Sequence, residues 1–145
     1  MYSYDEVMTY CQEEDVKFIR LAFCDLTGRQ KNIAIMPEEL GRAFRYGISF
    51  DASAIPGFGD EVRSDLFLFP DPSTLSVLPW RSAQGQVVRM FCDIRRPDGS
   101  PFERDSRRLL KKAVEAAKEM GITCYFGAEF EFYLFRTGEN GEATR

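Results

Sequence analysis

The period of apolar positions changes several times along the chain, and each change marks an element. Val7, Met8 and Cys11 recur at helical spacing after Ser3-Tyr-Asp-Glu6. The Ser3 hydroxyl can accept an orphan N–H and Glu6 can reach back, so a capped helix is predicted over about 3–14. Glu13, Glu14 and Asp15 oppose the helix dipole and favour a stop there. The period then falls to two: Ile19, Leu21 and Phe23 share one face of a strand over about 16–25. Leu26-Thr27-Gly28 forms the turn, and Gln30 to Ile35 returns as a second strand. Pro37 opens another short helix, with Leu40, Ala43 and Phe44 as its apolar face and Gly47 just past its end.

From 48 to 82 the chain is rich in Pro and Gly and reads as irregular, apart from a brief strand at Asp65–Phe69 and a second near Ser73–Leu78. Trp80 reads as a packing residue. Val88, Met90, Cys92 and Ile94 alternate with Val87, Arg89 and Phe91 in the best internal strand. Arg95 to Pro101 is a loop or linker. Asp105 caps the longest helix, about 106–120, whose apolar face is Leu109, Leu110, Ala113, Val114 and Ala117. Gly127-Ala-Glu-Phe-Glu-Phe-Tyr-Leu-Phe135 alternates again, as a last strand. The tail from Thr137 to Arg145 is polar and turn-like. This order predicts an α+β fold: a small mixed sheet with helices against it, then a helix and one strand that begin something else.

Composition narrows the chemistry. The chain has 145 residues and a formal charge of −4, with no basic run, so nucleic acid is excluded as the expected partner. No apolar run approaches the roughly 20 residues needed to span a bilayer, and the acidic N-terminus lacks a signal-peptide core. A cytoplasmic protein is expected. Cys11, Cys24, Cys92 and Cys124 form no Cys-x-x-Cys pair and sit in apolar patterns, so buried free thiols are expected rather than disulfides or zinc ligands. There is no histidine, which removes Ser-His and Cys-His catalysis. Carboxylates, Lys, Arg or Tyr must carry any chemistry this chain supplies.

In the last strand Glu129 and Glu131 share a face with Tyr133, their Cα atoms about 6.5–7 Å apart. Two carboxylates so spaced can each hold one ion of a paired Mg²⁺ or Mn²⁺ site, because hard cations take oxygen ligands. The same pattern also describes a half-buried strand with a solvated acidic face.

Three stretches, in order, resemble the glutamine synthetase family. Phe50-Asp-Ala-Ser-Ala-Ile-Pro-Gly-Phe58 is similar to its Phe-Asp-Gly-Ser-Ser-Ile loop. Ser64-Asp-Leu-Phe-Leu-Phe-Pro-Asp71, with Thr74 and Pro79-Trp80, is similar to its Ser-Asp-Met…Pro-Asp…Thr…Pro-Trp run. Gly127-Ala-Glu-Phe-Glu-Phe132 is similar to its Gly-x-Glu-x-Glu-Phe strand. The resemblance implies a β-grasp N-terminal domain over 1–100 and the truncated start of a catalytic domain over 101–145. It implies ATP-dependent ligation of ammonia to glutamate through γ-glutamyl phosphate, within glutamine biosynthesis and nitrogen metabolism. Glu129 and Glu131 would be ligands to two Mg²⁺ or Mn²⁺ ions. Asp51 would bind ammonium and take its proton, with Asp65 as a supporting substrate-binding residue. ATP would be the co-substrate, and a homo-oligomer, a dodecamer in the family, would bring Asp51 to a neighbour's active site. Ala52 and Ala54 depart from the family's Gly and Ser. Lacking most of the catalytic domain, the chain alone is expected to be inactive. A related γ-glutamyl-amine ligase and a stand-alone β-grasp interaction module are the alternatives.

Overall fold

The computed structural model describes residues 2–59, 65–80 and 85–144. Ser64 of the second resembling stretch, Met1, Arg145, and positions 60–64 and 81–82 of the stretch read as irregular lie outside them.

Helix α1 (Tyr4–Glu13) carries the expected reciprocal cap: Glu6 N donates to Ser3 Oγ at 3.3 Å and Ser3 N to Glu6 Oε2 at 2.6 Å. Strands β1 (Val16–Cys24) and β2 (Gln30–Ile35) form the expected antiparallel hairpin. Its turn is built on Asp25, whose buried carboxylate accepts from Thr27 N, Thr27 Oγ1 and Arg29 N at 2.7–2.9 Å. The hydroxyl bond from Thr27 leads in holding that carboxyl below its ordinary range. Pro37–Glu39 makes one 3-10 turn into α2 (Leu40–Tyr46). Gly47 then takes φ +75, and a Cβ there would meet the Phe69 ring at 2.8 Å, so glycine is required on both counts.

The region read as irregular holds more order than its composition suggests. Strand β3 (Ile48–Asp51) was not anticipated; it pairs antiparallel with β4 (Asp65–Pro70). The second expected strand shrinks to β5 (Ser76–Val77), because Asp71 accepts from Ser73 N and winds Pro72–Thr74 into a 3-10 turn. Strand β6 (Gln86–Arg95) runs parallel to β1 and antiparallel to β4, giving the sheet order β2-β1-β6-β4-β3 with β5 also on β6. The sheet is mixed, as expected. One face is closed by α1 and α2: Ile19, Leu21, Leu68, Val88, Met90 and Ile94 pack with Val7, Leu40 and Ala43, each of them buried. Burial of each such large side chain contributes roughly 1.5–3 kcal/mol.

Helix α3 (Ser106–Glu119) is anchored through its first two turns. Asp105 is 1% exposed; one carboxylate oxygen caps the helix by accepting from Arg107 N, and the other accepts from Ile94 N on β6, both at 3.0 Å. Arg107 bonds Asp93 at 3.0 Å and also Asp71, and Lys111 bonds Asp93 at 2.8 Å. Burial pushes the Asp93 carboxyl up, but hydrogen bonds from Lys111 and Arg107 outweigh it and leave the group below its ordinary range. Despite these polar ties the expected apolar face stands in water: Leu109, Leu110 and Val114 are half or more exposed. Gly121 ends the helix at φ +74 with Ile122 N donating to Ala117 O and Gly121 N to Lys118 O.

The strand expected at 123–135 is not formed: among the described residues no segment forms a ladder with it, and Phe130 and Leu134 are 86% and 88% exposed. Alternation sets which side chains share a face, but a strand also needs a neighbour for its N–H and C=O groups, and none stands beside this one. The polar tail forms a small ladder, β7 (Arg136–Thr137) with β8 (Ala143–Thr144). Trp80 is 63% exposed rather than packed, and Cys124 is exposed, whereas Cys11 and Cys92 are buried thiols as expected. Among the described residues no helix is long and apolar enough to cross a membrane.

Candidate functional site

The β3–β4 pair ends in two carboxylates. Asp51 is the last residue of β3, Asp65 the first of β4, and the two are register partners. Both are exposed. Two carboxylates directly opposite across a pair concentrate negative charge at this end of the sheet. Asp51 is also the cap of a 3-10 turn over Ala52–Ala54, accepting from Ser53 N at 2.9 Å through Oδ1. The bond fixes the side chain as an Asx turn does.

The loop after Asp51 is held from three sides. Ala52 is buried, which suits a methyl group better than the bare Cα of a glycine. Gly59 lies so near Ser53 that a Cβ would come within 2.7 Å of the Ser53 Cα, so only glycine closes the loop. Phe58 is buried edge-on against Phe102, ring centroids 5.1 Å apart, and Arg104 Nη1 donates to Gly57 O at 2.7 Å. The Asp51 loop is therefore seated on the linker that leads to α3. Nothing in the local sequence of 50–59 signals that contact.

Glu129 and Glu131 are placed differently. Both are exposed on the unpaired segment, and no hydrogen bond or ion pair joins either to Asp51 or Asp65. The Tyr133 hydroxyl donates to Glu131 Oε1 at 3.5 Å, which agrees with their expected common face. Among the described residues no three Asp, Glu, Cys or His side chains converge as a metal site would require. Two ionised carboxylates are suitable donors for a hard cation, yet they supply two of the about six oxygens it takes. The structure thus brings Asp51 and Asp65 together and leaves Glu129 and Glu131 apart from them. Asp105 and Arg107 were read only as a helix start; their tie to β6 and to Asp71, just past β4, needed the fold.

Two family models match the chain in succession: "Glutamine synthetase, beta-Grasp domain" over residues 15–97 and "Glutamine synthetase, catalytic domain" over 103–145. The glutamine synthetase of Clostridium saccharobutylicum is 45% identical over 143 residues, which is 99% of this chain and 32% of that protein. That of Mycolicibacterium smegmatis is 46% identical over 136 residues, 92% of this chain and 30% of that one. A cryo-EM structure of Plasmodium falciparum glutamine synthetase superposes with a TM-score of 0.74 at 27% identity, over 83% of this chain and 23% of that one. The chain spans about a third of the length of the curated relatives it matches.

Proposed function

The chain belongs to the glutamine synthetase family, and on that premise we propose that it supplies the β-grasp domain, to about residue 100, and the first helix and strand of the catalytic domain of an ATP-dependent glutamate–ammonia ligase. The observation that carries this reading is the succession of the two matches along one chain, with the buried Asp105 at the seam between them.

Asp51 is the residue assigned to catalysis. Its ionised carboxylate attracts ammonium and accepts one of its protons, leaving ammonia free to attack an activated γ-carboxyl group of glutamate. Asp65, its register partner, adds a second negative charge that strengthens the attraction for the cation. Glu129 and Glu131 would hold Mg²⁺ or Mn²⁺, which when bound neutralises charge on phosphoryl and acyl oxygens of ATP and glutamate. Because Asp51 and the glutamate pair stand on separate parts of the chain, a homo-oligomer in which one copy completes the site of the next, in the cytoplasm, suits this arrangement.

The test is a fusion of this chain to the remaining catalytic domain of the C. saccharobutylicum relative. Ammonium-dependent glutamine formation from glutamate, ATP and Mg²⁺ is expected of the fusion, and none of the 145-residue chain alone. A fusion that folds and binds ATP but makes no glutamine overturns the assignment. For the chain alone, Mn²⁺ affinity is expected on the order of millimolar, since most of the ligand oxygens would be water. Calorimetry giving micromolar affinity that disappears in Glu131→Ala contradicts this and places a closed metal site within these residues.

A further inference from the structure

The outward face of the sheet, away from α1 and α2, carries a row of register partners across four strands: Ala34 on β2, Arg20 on β1, Arg89 on β6 and Ser76 on β5. Two arginines therefore stand side by side on adjacent parallel strands, an arrangement of like charges that costs stability unless something offsets it. Among the described residues no carboxylate does so. Arg20 Nη1 donates to Asn32 Oδ1 at 2.9 Å and Arg89 Nη1 to Gln30 Oε1 at 3.4 Å, both neutral amides.

A second observation falls on the same row. Among the described residues, two buried side-chain polar atoms have no hydrogen-bond partner, and they are Arg89 Nε and Ser76 Oγ, on register partners. Buried polar groups are nearly always satisfied, so two orphans side by side mark a missing acceptor. The floor is already prepared for one. Ala22, small and outward-facing, is fully buried, and the Arg89 guanidinium lies over the Phe91 ring at 4.8 Å, which fixes its plane.

We propose that Arg20, Arg89 and Ser76 form a binding site for a small multivalent oxyanion, one presenting carboxylate or phosphate oxygens. Guanidinium groups match such oxygens two at a time, and the Ser76 hydroxyl adds a donor from the far strand. Two fixed positive charges suit a dianion, which would remove the repulsion between Arg20 and Arg89 and satisfy Arg89 Nε together. Asn32 and Gln30, whose carbonyls hold the two guanidinium groups, act as positioning residues.

The experiment is calorimetric titration of the full chain, at constant ionic strength, with inorganic phosphate and separately with succinate. Saturable binding of either at one site per chain is expected. Binding of succinate alone identifies carboxylate as the ligand group, and binding of phosphate alone identifies phosphate. Arg20→Gln and Arg89→Gln are each expected to weaken binding at least tenfold, Ser76→Ala by less, and Arg42→Gln on α2 not at all. Lack of saturable binding to both anions overturns the proposal, as does affinity unchanged in both arginine variants. Should those variants not fold, amide chemical shifts in the unaltered chain decide: changes at Ala22, Asn32 and Ser76 support the site, and changes confined to other residues overturn it.

Discussion

Alanine at Asp51, in the fusion that carries a complete catalytic domain, is expected to lower kcat with ammonium by about 10²–10⁴-fold and to leave ATP affinity unchanged. A general base acts in the transition state, so its removal falls on turnover rather than on nucleotide binding. The local structure supplies a control. Asp51 Oδ1 caps the turn at Ser53, a bond that an asparagine side chain can also accept. Asp51→Asn should therefore keep the loop and still lose the rate, separating charge from shape. Asp65→Asn removes only the supporting charge and should cost less than Asp51→Asn. A steady-state assay of the three variants at saturating ATP is sufficient. Unchanged kcat in Asp51→Ala removes this residue from the mechanism.

The second large effect is on stability. Asp105→Ala is expected to destabilise the chain by about 1.5–5 kcal/mol, measured by urea unfolding. The change strips the helix cap, which costs about 0.5–2 kcal/mol. It also strands the buried Ile94 N–H, for about 1–3 kcal/mol more. Asp105→Asn keeps a single oxygen and so satisfies one of the two N–H groups; an intermediate loss is expected. The pH dependence has a definite sign. Burial pushes the Asp105 carboxyl above its ordinary value, against the hydrogen bonds from Ile94 and Arg107. Its titration thus favours the folded state most below the unfolded pKa of about 4, and that contribution is lost as pH rises through the folded value. Asp93 acts in the opposite direction: its lowered value supports the fold above about pH 4 and is lost as pH falls through it. Asp105→Asn should abolish the first dependence and keep the second. Identical stability–pH curves for the variant and the unaltered chain contradict the assignment.

Where local chemistry decides structure, the sequence was legible. The Ser3 cap, the turn at Leu26–Gly28, the alternation in β1 and β6 and the Asp105 cap all depend on residues within a few positions of each other. β3 was missed because its four residues follow Gly47 and precede a Pro-Gly loop, and only the ladder to β4 makes them a strand. The reverse error came at 122–135, where alternation is clear and no partner is at hand. The Asp51–Asp65 juxtaposition is likewise a matter of register, which spacing along the chain does not reveal. The Arg20–Arg89 pair arises from the parallel pairing of β1 with β6, the most distant pairing in the sheet and the least visible in any local window.

That same parallel pairing bears on how the domain is made. β6 is the last strand of the sheet to be synthesised, and it lies at the centre, between β1 and β4. Until Arg95 has left the ribosome, the nascent chain can form only two separate hairpin-like pieces, β1 with β2 and β3 with β4, each with its inner edge unpaired. Exposed edges of this kind invite pairing between chains, and closure over such a long sequence separation is slow. The keystone arrives last, so the interval between translation of β4 and of β6 leaves both inner edges open to pairing with another chain.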